Sequence, residues 1–236
     1  MAKTHFDFKK FTIFHDKCAM KVGTDGVLLG AWAGGIETAH NILDIGTGSG
    51  LIAIMMAQRT DADIWGVDIE HDAIEQAREN ALATEWKKRL HFIESDIITF
   101  HTEKIFEVIT CNPPFFTDSL QSPDLKRTKA RHNAGLSFKS LLLSAANLLS
   151  NNGRFQVILP TDSADYFVQE AWNQGLNLYR RCLIYSKENS SPKRVLLDLL
   201  KGECTYPCNE HLIIRMGNGE YSSEYKELTK DYYIHF

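Results

Sequence analysis

Four consecutive residues, Asn112-Pro113-Pro114-Phe115, combine an amide, a rigid diproline and an aromatic ring. That set suits a site that holds a planar –NH2 group flat. Asn112 supplies a side-chain carbonyl acceptor. The proline that follows pushes it out of the helical region and keeps it extended. Pro113 and Pro114 have no N–H, so their backbones only accept. Phe115 presents a face on which a base can stack. The motif follows an apolar run, 105–111, that reads as a buried strand. It therefore sits at a strand's carboxyl end, where open α/β sheets place their ligands. Asn-Pro is also a common turn starter. By itself the motif leaves adenine, guanine and glutamine amide all open as the amine.

Upstream lies a glycine loop, Asp44-Ile45-Gly46-Thr47-Gly48-Ser49-Gly50, between a strand at 41–45 and a helix at 50–59. Glycines let the backbone turn tightly and let a ligand come close. A dinucleotide fingerprint reads G-x-G-x-x-G, and here the third glycine falls one place early, with Leu51 after it. A P-loop would need Gly-Lys-Ser/Thr where Gly50-Leu51-Ile52 stands. Asp68 ends the next strand, 22 residues after Gly46. A carboxylate there can accept both ribose hydroxyls of a nucleoside. Asp96 follows the third strand and can accept from an adenine amine. The order is informative: acid with glycine loop, acid, acid, then Asn-Pro-Pro-Phe, each after its own strand.

Strand and helix signals alternate along the chain. Residues 5–14 alternate aromatic and polar, as in a half-buried strand or hairpin. Thr24 or Asp25 is the expected cap of a short helix ending near Trp32. A helix is expected over 70–84, with Ala73, Ile74, Ala77, Ala81 and Leu82 on one face. Strands are expected at 64–67, 90–93 and 105–111. Residues 116–135 form a long, polar, basic connection of a kind that is often functional. Ser137 caps a helix to about Leu149, Asn151-Asn152-Gly153 signals a turn, and 155–159 reads as a strand before a helix over 162–174. Segments 176–185 and 194–200 read as consecutive strands with no helix between them. Only a possible strand at 211–215 is legible in the last stretch. Strands alternating with helices imply a parallel sheet covered on both faces, and the late strand pair implies an antiparallel edge hairpin. The expectation is a doubly wound, Rossmann-like α/β fold with a seven-stranded, mostly parallel sheet. It is a single domain over 1–236, with an N-terminal β extension (1–35), a core (36–202) and a C-terminal extension (203–236).

At 236 residues with 44% hydrophobic content, the chain can bury a sizeable core. No apolar run approaches the roughly 18 residues of a membrane span. The first residues lack an apolar signal core, so a cytoplasmic protein is expected. The five cysteines are an odd number and widely scattered, which argues for reduced thiols. Cys204, Cys208 and His211 lack an evident fourth ligand, so no metal is expected. The net charge of −4 is not that of a general nucleic-acid binder. Basic residues do cluster, however: Lys126, Arg127, Lys129, Arg131 and His132 just behind the Asn-Pro-Pro-Phe motif, and Lys193 with Arg194 later.

These motifs, in this order, resemble the class I methyltransferases that use S-adenosylmethionine. The resemblance implies that the glycine loop approaches the cofactor's methionine part, that Asp68 holds its ribose and that Asp96 reads its adenine. It implies a cofactor set of Lys21, Thr24, Asp44, Gly46, Thr47, Gly48, Gly50, Asp68, Ile69, Asp96, Ile97 and Asn112. Asn-Pro-Pro-aromatic belongs to the amino-group methylases of that class, which makes Asn112, Pro113, Pro114 and Phe115 the catalytic segment. The resemblance narrows further. Met20-Lys21-Val22-Gly23-Thr24-Asp25-Gly26-Val27-Leu28-Leu29-Gly30-Ala31-Trp32 is similar to a signature of the bacterial tRNA adenine-N6 methyltransferases, which modify the adenosine next to the anticodon of a valine tRNA. Asn112 to Phe116, Lys129-Ala130-Arg131-His132 and Pro192-Lys193-Arg194-Val195-Leu196-Leu197 look like the same family. On that resemblance tRNA is the partner, and Phe116, Lys126, Arg127, Lys129, Arg131, His132, Lys193 and Arg194 are the expected RNA contacts; separately, a monomer without an obligate protein partner is expected.

Other readings differ in what they need. Methylases of a protein glutamine amide carry an extra amino-terminal helical domain and usually Tyr in place of Phe115. Guanine-N2 or DNA-adenine methylation shares the motif. A non-catalytic RNA-binding protein would not need Asn112, Asp68 and the glycine loop intact. A nicotinamide oxidoreductase would want glycine where Leu51 stands.

Overall fold

The computed structural model describes residues 4–113 and 136–236. A short antiparallel hairpin, β1 (His5–Asp7) and β2 (Thr12–Phe14), precedes the main body. Then follow α1 (Thr24–Trp32), β3 (Asn41–Ile45), α2 (Leu51–Ala57), β4 (Asp63–Asp68), α3 (His71–Leu82), β5 (Leu90–Glu94) and β6 (Phe106–Cys111). The second half holds α4 (Phe138–Leu148), β7 (Leu149–Pro160), α5 (Ala164–Asn173), β8 (Asn177–Lys187), β9 (Arg194–Leu200), β10 (Cys208–Arg215) and α6 (Ser223–Thr229).

β3 to β10 form one eight-stranded sheet in the order β10-β8-β9-β7-β6-β3-β4-β5. Every neighbouring pair is parallel except the two that involve β9. The doubly wound sheet with its antiparallel hairpin is thus present. It has one strand more than the expected seven, because β10 adds in parallel outside β8 and turns Leu212 into the core. After β3 the chain lays down β4 and β5 on one side, then returns to place β6 on the other. The strand order reverses between β3 and β6, and a crevice opens at such a switch point.

Side chains alternate across the strands and sort into two cores. Ile42, Ile64, Val108, Ile158 and Leu196 face α1, α2 and α3. Leu43, Ile45, Val67, Ile109 and Val157 face α4 and α5. The first core also takes Phe8 and Phe11 from the hairpin and Tyr225 and Tyr232 from the C-terminal segment. Phe8 and Phe11 are therefore core residues, as their spacing suggests.

Four local expectations differ. Gly23, not Thr24 or Asp25, is the N-cap of α1, and it makes no side-chain capping bond. Leu82 is exposed, although Asn80 and Ala81 in the same turn of α3 are buried. Asn151-Asn152-Gly153 is no turn between elements: it lies within β7, with Asn152 at φ 61° and an irregular register against β6 between Phe106 and Val108. Asn152 N–H donates to the Lys201 carbonyl, so the kinked stretch still belongs to the sheet. Nothing in the sequence marked α6 as a helix. Ser137 does cap α4, accepting from Ser140 N–H at 3.1 Å.

Candidate active site

The glycine loop leaves β3 at the switch point. Gly46 (φ 67°) and Gly48 (φ 53°) adopt left-handed backbone, yet a Cβ on either would meet nothing within 4 Å. Glycine is needed there for conformation, and the space above stays open for a ligand. Gly46 and Thr47 N–H both donate to the Val67 carbonyl, which pins the loop to β4. Gly50 differs: a Cβ would lie 3.2 Å from Ala77 and Phe92. It serves the packing of α2 against α3 and does not line the cavity.

Asp44 stands behind the loop. It is fully buried, and its two carboxylate oxygens accept from Thr47 Oγ1 (2.7 Å) and Thr110 Oγ1 (2.8 Å). Burial pushes its carboxyl up to about 7 against the pull of those two hydroxyls. Asp44 is absent from the cavity wall, so the expectation that it touches a cofactor gives way to one of holding the loop.

A cavity of about 1190 Å³ opens over the ends of β3, β4 and β6. Lys21, Thr24, Gly46, Thr47, Gly48, Asp68, Ile69, Asp96, Ile97, Asn112 and Pro113 all line it. The sequence had scattered these over more than 90 positions, and the sheet brings them together. Asp68 at the tip of β4 accepts from Gly48 N–H (2.8 Å) and from Glu70 N–H (3.0 Å). Its carboxylate is thus fixed in direction and keeps lone pairs for a diol. Asp96 accepts from Ile98 N–H at 2.9 Å through one oxygen. Ile69 and Ile97 add apolar surface near these two acids. The acids Asp68, Glu70, Asp72 and Asp96 outnumber Lys17 and Lys21 in the wall; Lys17 is engaged by Glu79 at 2.7 Å and a fifth acid, Asp25, by Arg194 at 2.8 Å. Such a wall favours a ligand carrying positive charge.

Asn112 closes the other end. Its Oδ1 is buried and has no hydrogen-bond partner among the described residues. Buried acceptors are nearly always met, so this one is poised for a donor from a ligand. The first turn of α1 packs beside it: a Cβ on Gly26 would come within 4.0 Å of Asn112 Nδ2 and 3.0 Å of Leu51. Burial and the nearby acids push the Cys18 thiol, also in the wall, up to about 11. It carries no thiolate at neutral pH. The chemistry this site offers is alignment and acceptance of hydrogen bonds, not covalent attack.

Arg194 at the start of β9 bonds Asp25 through Nε at 2.8 Å, which brings it to the first turn of α1 beside the cavity. Lys193 next to it is exposed. Pro114, Phe115, Phe116, Lys126, Arg127, Lys129, Arg131 and His132 lie outside the described residues. The sequence missed residues 17–20 as part of the wall; Lys17, Cys18 and Ala19 precede the signature that opens at Met20, and only the fold lays them against the cavity.

A family model described as a methyltransferase domain matches residues 36–214. A protein of Phocaeicola vulgatus named tRNA1(Val) (adenine(37)-N6)-methyltransferase is 49% identical over 99% of both chains. The chain belongs to that family. Relatives of the same name in Bacteroides thetaiotaomicron and Klebsiella pneumoniae are 44% and 41% identical, covering 100% and 99% of this chain and 99% and 96% of theirs. Among solved structures, one described as a predicted O-methyltransferase from Agrobacterium tumefaciens superposes with a TM-score of 0.69 at 16% identity, covering 88% of this chain and 96% of that one. The N-methyltransferase NodS of Bradyrhizobium japonicum, solved with S-adenosyl-L-homocysteine, gives 0.53 at 15% identity over 75% and 84%. These two share the fold of the tRNA methyltransferase family seen here. No described helix is long and apolar enough to cross a membrane.

Proposed function

We propose that this protein transfers the methyl group of S-adenosylmethionine to N6 of adenosine 37, 3′-adjacent to the anticodon, in a valine tRNA. Near full-length identity of up to 49% to relatives bearing that name carries the reading. The cavity fits the cofactor on its own terms: an acid-rich wall for a sulfonium cation, glycines that leave room, and carboxylates at successive strand ends. Bound S-adenosylmethionine supplies an electrophilic methyl on a good leaving group. The protein's work is then alignment.

Asn112 Oδ1 and the Pro113 carbonyl accept the two N6 hydrogens and draw them from the ring plane. The nitrogen lone pair, otherwise delocalised into adenine, is thereby localised toward the methyl. The surplus N6 proton leaves to water, and no side chain with a shifted pKa is required to take it. Asp68 would hold the cofactor's ribose hydroxyls and Asp96 its adenine amine, and Ile69 and Ile97 would offer apolar surface to its base. Lys21 and Thr24 serve the methionine end. The target base must leave its stack, which costs a few kcal/mol, and stacking on Phe115 returns about 1–3 kcal/mol. Phosphate contacts from Lys126, Arg127, Lys129, Arg131, His132, Lys193 and Arg194 supply the remainder. The protein acts as a monomer in the cytoplasm.

Incubation with radiolabelled S-adenosylmethionine and unmodified total tRNA tests this. Label should map to N6 of adenosine 37 in a valine tRNA. Transfer to a release-factor glutamine with none to tRNA would sink it.

A further inference from the structure

Asn80 sits in the last turns of α3 with only 1% of its surface exposed, and no part of it lines the cavity. Its amide is fully engaged. Oδ1 accepts from Phe14 N–H at 3.0 Å, while Nδ2 donates to the Phe14 carbonyl at 2.9 Å and to the Ser49 carbonyl at 2.8 Å. Phe14 ends the hairpin strand β2, and these two backbone groups lie on the edge not paired with β1. Asn80 takes the place of a neighbouring strand there. Ser49 belongs to the glycine loop and lines the cavity. One buried side chain thus joins the start of residues 15–23 to the loop on the facing wall.

A second buried amide one turn earlier extends the attachment. Gln76, 2% exposed, accepts from Lys17 N–H at 3.2 Å. His15 Nδ1 accepts from Val22 N–H at 3.3 Å and so closes the segment on itself. Between these ties, residues 17–23 contribute a continuous run of cavity wall, Lys21 included. The strap has no regular structure of its own, and Lys17 Nζ adds exposed ion pairs to Glu79 (2.7 Å) and Glu75 (3.8 Å) on α3. Asp68 ends β4 and α3 begins three residues later at His71, so the strap is tied to the helix that follows the strand bearing the ribose acid.

We infer that Asn80 is a positioning residue for the cofactor: with Gln76 it holds the 15–23 strap closed against the glycine loop. This rests on the reading that S-adenosylmethionine occupies the cavity. Without the tether the strap samples open arrangements, and apparent affinity falls by the closed fraction. If Asn80→Ala leaves the strap closed a tenth of the time, the cofactor binds roughly tenfold more weakly.

The test uses S-adenosyl-L-homocysteine as the probe on full-length protein, with Asn80→Ala and the milder Gln76→Ala. Both variants should bind it more weakly and release it faster than wild type. KM for S-adenosylmethionine should rise, with kcat at saturating cofactor and KM for tRNA close to wild type. In the wild type, the ligand should slow amide hydrogen exchange at Lys17 and Val22 together with the glycine loop, a measurement that stands even where a variant fails to fold. Folded variants with unchanged ligand affinity and release, or a wild-type strap whose exchange ignores the ligand, would overturn the assignment. A wild type that does not bind the probe at all would instead remove the cofactor reading on which it rests.

Discussion

Asn112 Oδ1 is a buried acceptor that nothing among the described residues meets. Such a group costs roughly 1–3 kcal/mol unless a donor arrives. A substrate amine would recover that cost as it enters, which is how a site is built to select an –NH2 group. Asn112→Ala should therefore lower kcat, on the order of 10²-fold, by analogy with the loss of a single hydrogen-bonding group aimed at a reacting atom. Binding of S-adenosyl-L-homocysteine should hardly change, and a large loss of that binding would put Asn112 in another role. Asp44 makes a different case at the same scale. Its pattern, Asp-x-Gly-x-Gly, reads equally well for an acid facing a ligand and for one behind the loop. Thr110, which settles the matter by hydrogen bonding from β6, is distant in sequence and unremarkable there. Because burial raises the folded carboxyl from 3.8 to about 7, the folded state keeps a proton that the unfolded state has lost across that window. Asp44 thus makes stability fall as pH rises through the window, each unit of separation being worth about 1.4 kcal/mol, and level off above it. Asp44→Asn should flatten that part of the curve in urea unfolding measured at several pH values. An identical slope in the variant would show that Asp44 is not the group responsible.

Elements whose partners lie next to them in sequence were legible. Strands β3 to β6 and helices α2 and α3 follow from alternating signals, because each buries a face of the right period. The elements that misled or escaped depend on distant partners. Of β10 only 211–215 was legible, and it extends back to Cys208 because β8 offers it an edge; α6, unmarked in the sequence, packs on β10 and takes Tyr225 into the first core. The β7 kink reads as a turn locally, yet β6 pairs with β7 on either side of it, at Leu149 and Arg154, and Lys201 bonds the backbone of Asn152 and Gly153 within it. Gly66 in the middle of β4 is a further element-scale feature invisible in the sequence. A Cβ there would stand 2.5 Å from Phe92 and 2.8 Å from Thr47 Oγ1. β4 can pass beneath the glycine loop only because this position is bare. Gly66→Ala must displace Thr47 and with it the hydroxyl that holds Asp44. It should cost about 1–3 kcal/mol of stability, as overpacking does, and also weaken S-adenosyl-L-homocysteine binding. Unfolding and titration on the same sample check both; lost stability with unchanged affinity would mean the strain is absorbed by Phe92 alone.

Taken as a whole, the molecule has a charge that opposes its proposed substrate. A net charge of −4 and an acid-lined cavity suit a cationic cofactor, and both repel RNA phosphates. Binding of tRNA must then be carried by a local positive surface, not by the overall field. The candidates are the run from Lys126 to His132, joined at the motif's own strand end, and Lys193 with Arg194. Arg194 is placed beside the cavity by Asp25, so base and phosphate contacts would be read close together. Contacts of this kind release counterions, and each contributes about 0.7 to the slope of log affinity against log salt on single-stranded RNA. Replacing Lys126, Arg127 and Lys129 together with Gln should therefore reduce that slope by about 2 while cofactor affinity stays at the wild-type value. The measurement is a salt series of tRNA binding for both proteins. Were the slope unchanged, the run would be a solvated surface, and an acidic protein would have to find its tRNA through Lys193, Arg194 and shape alone.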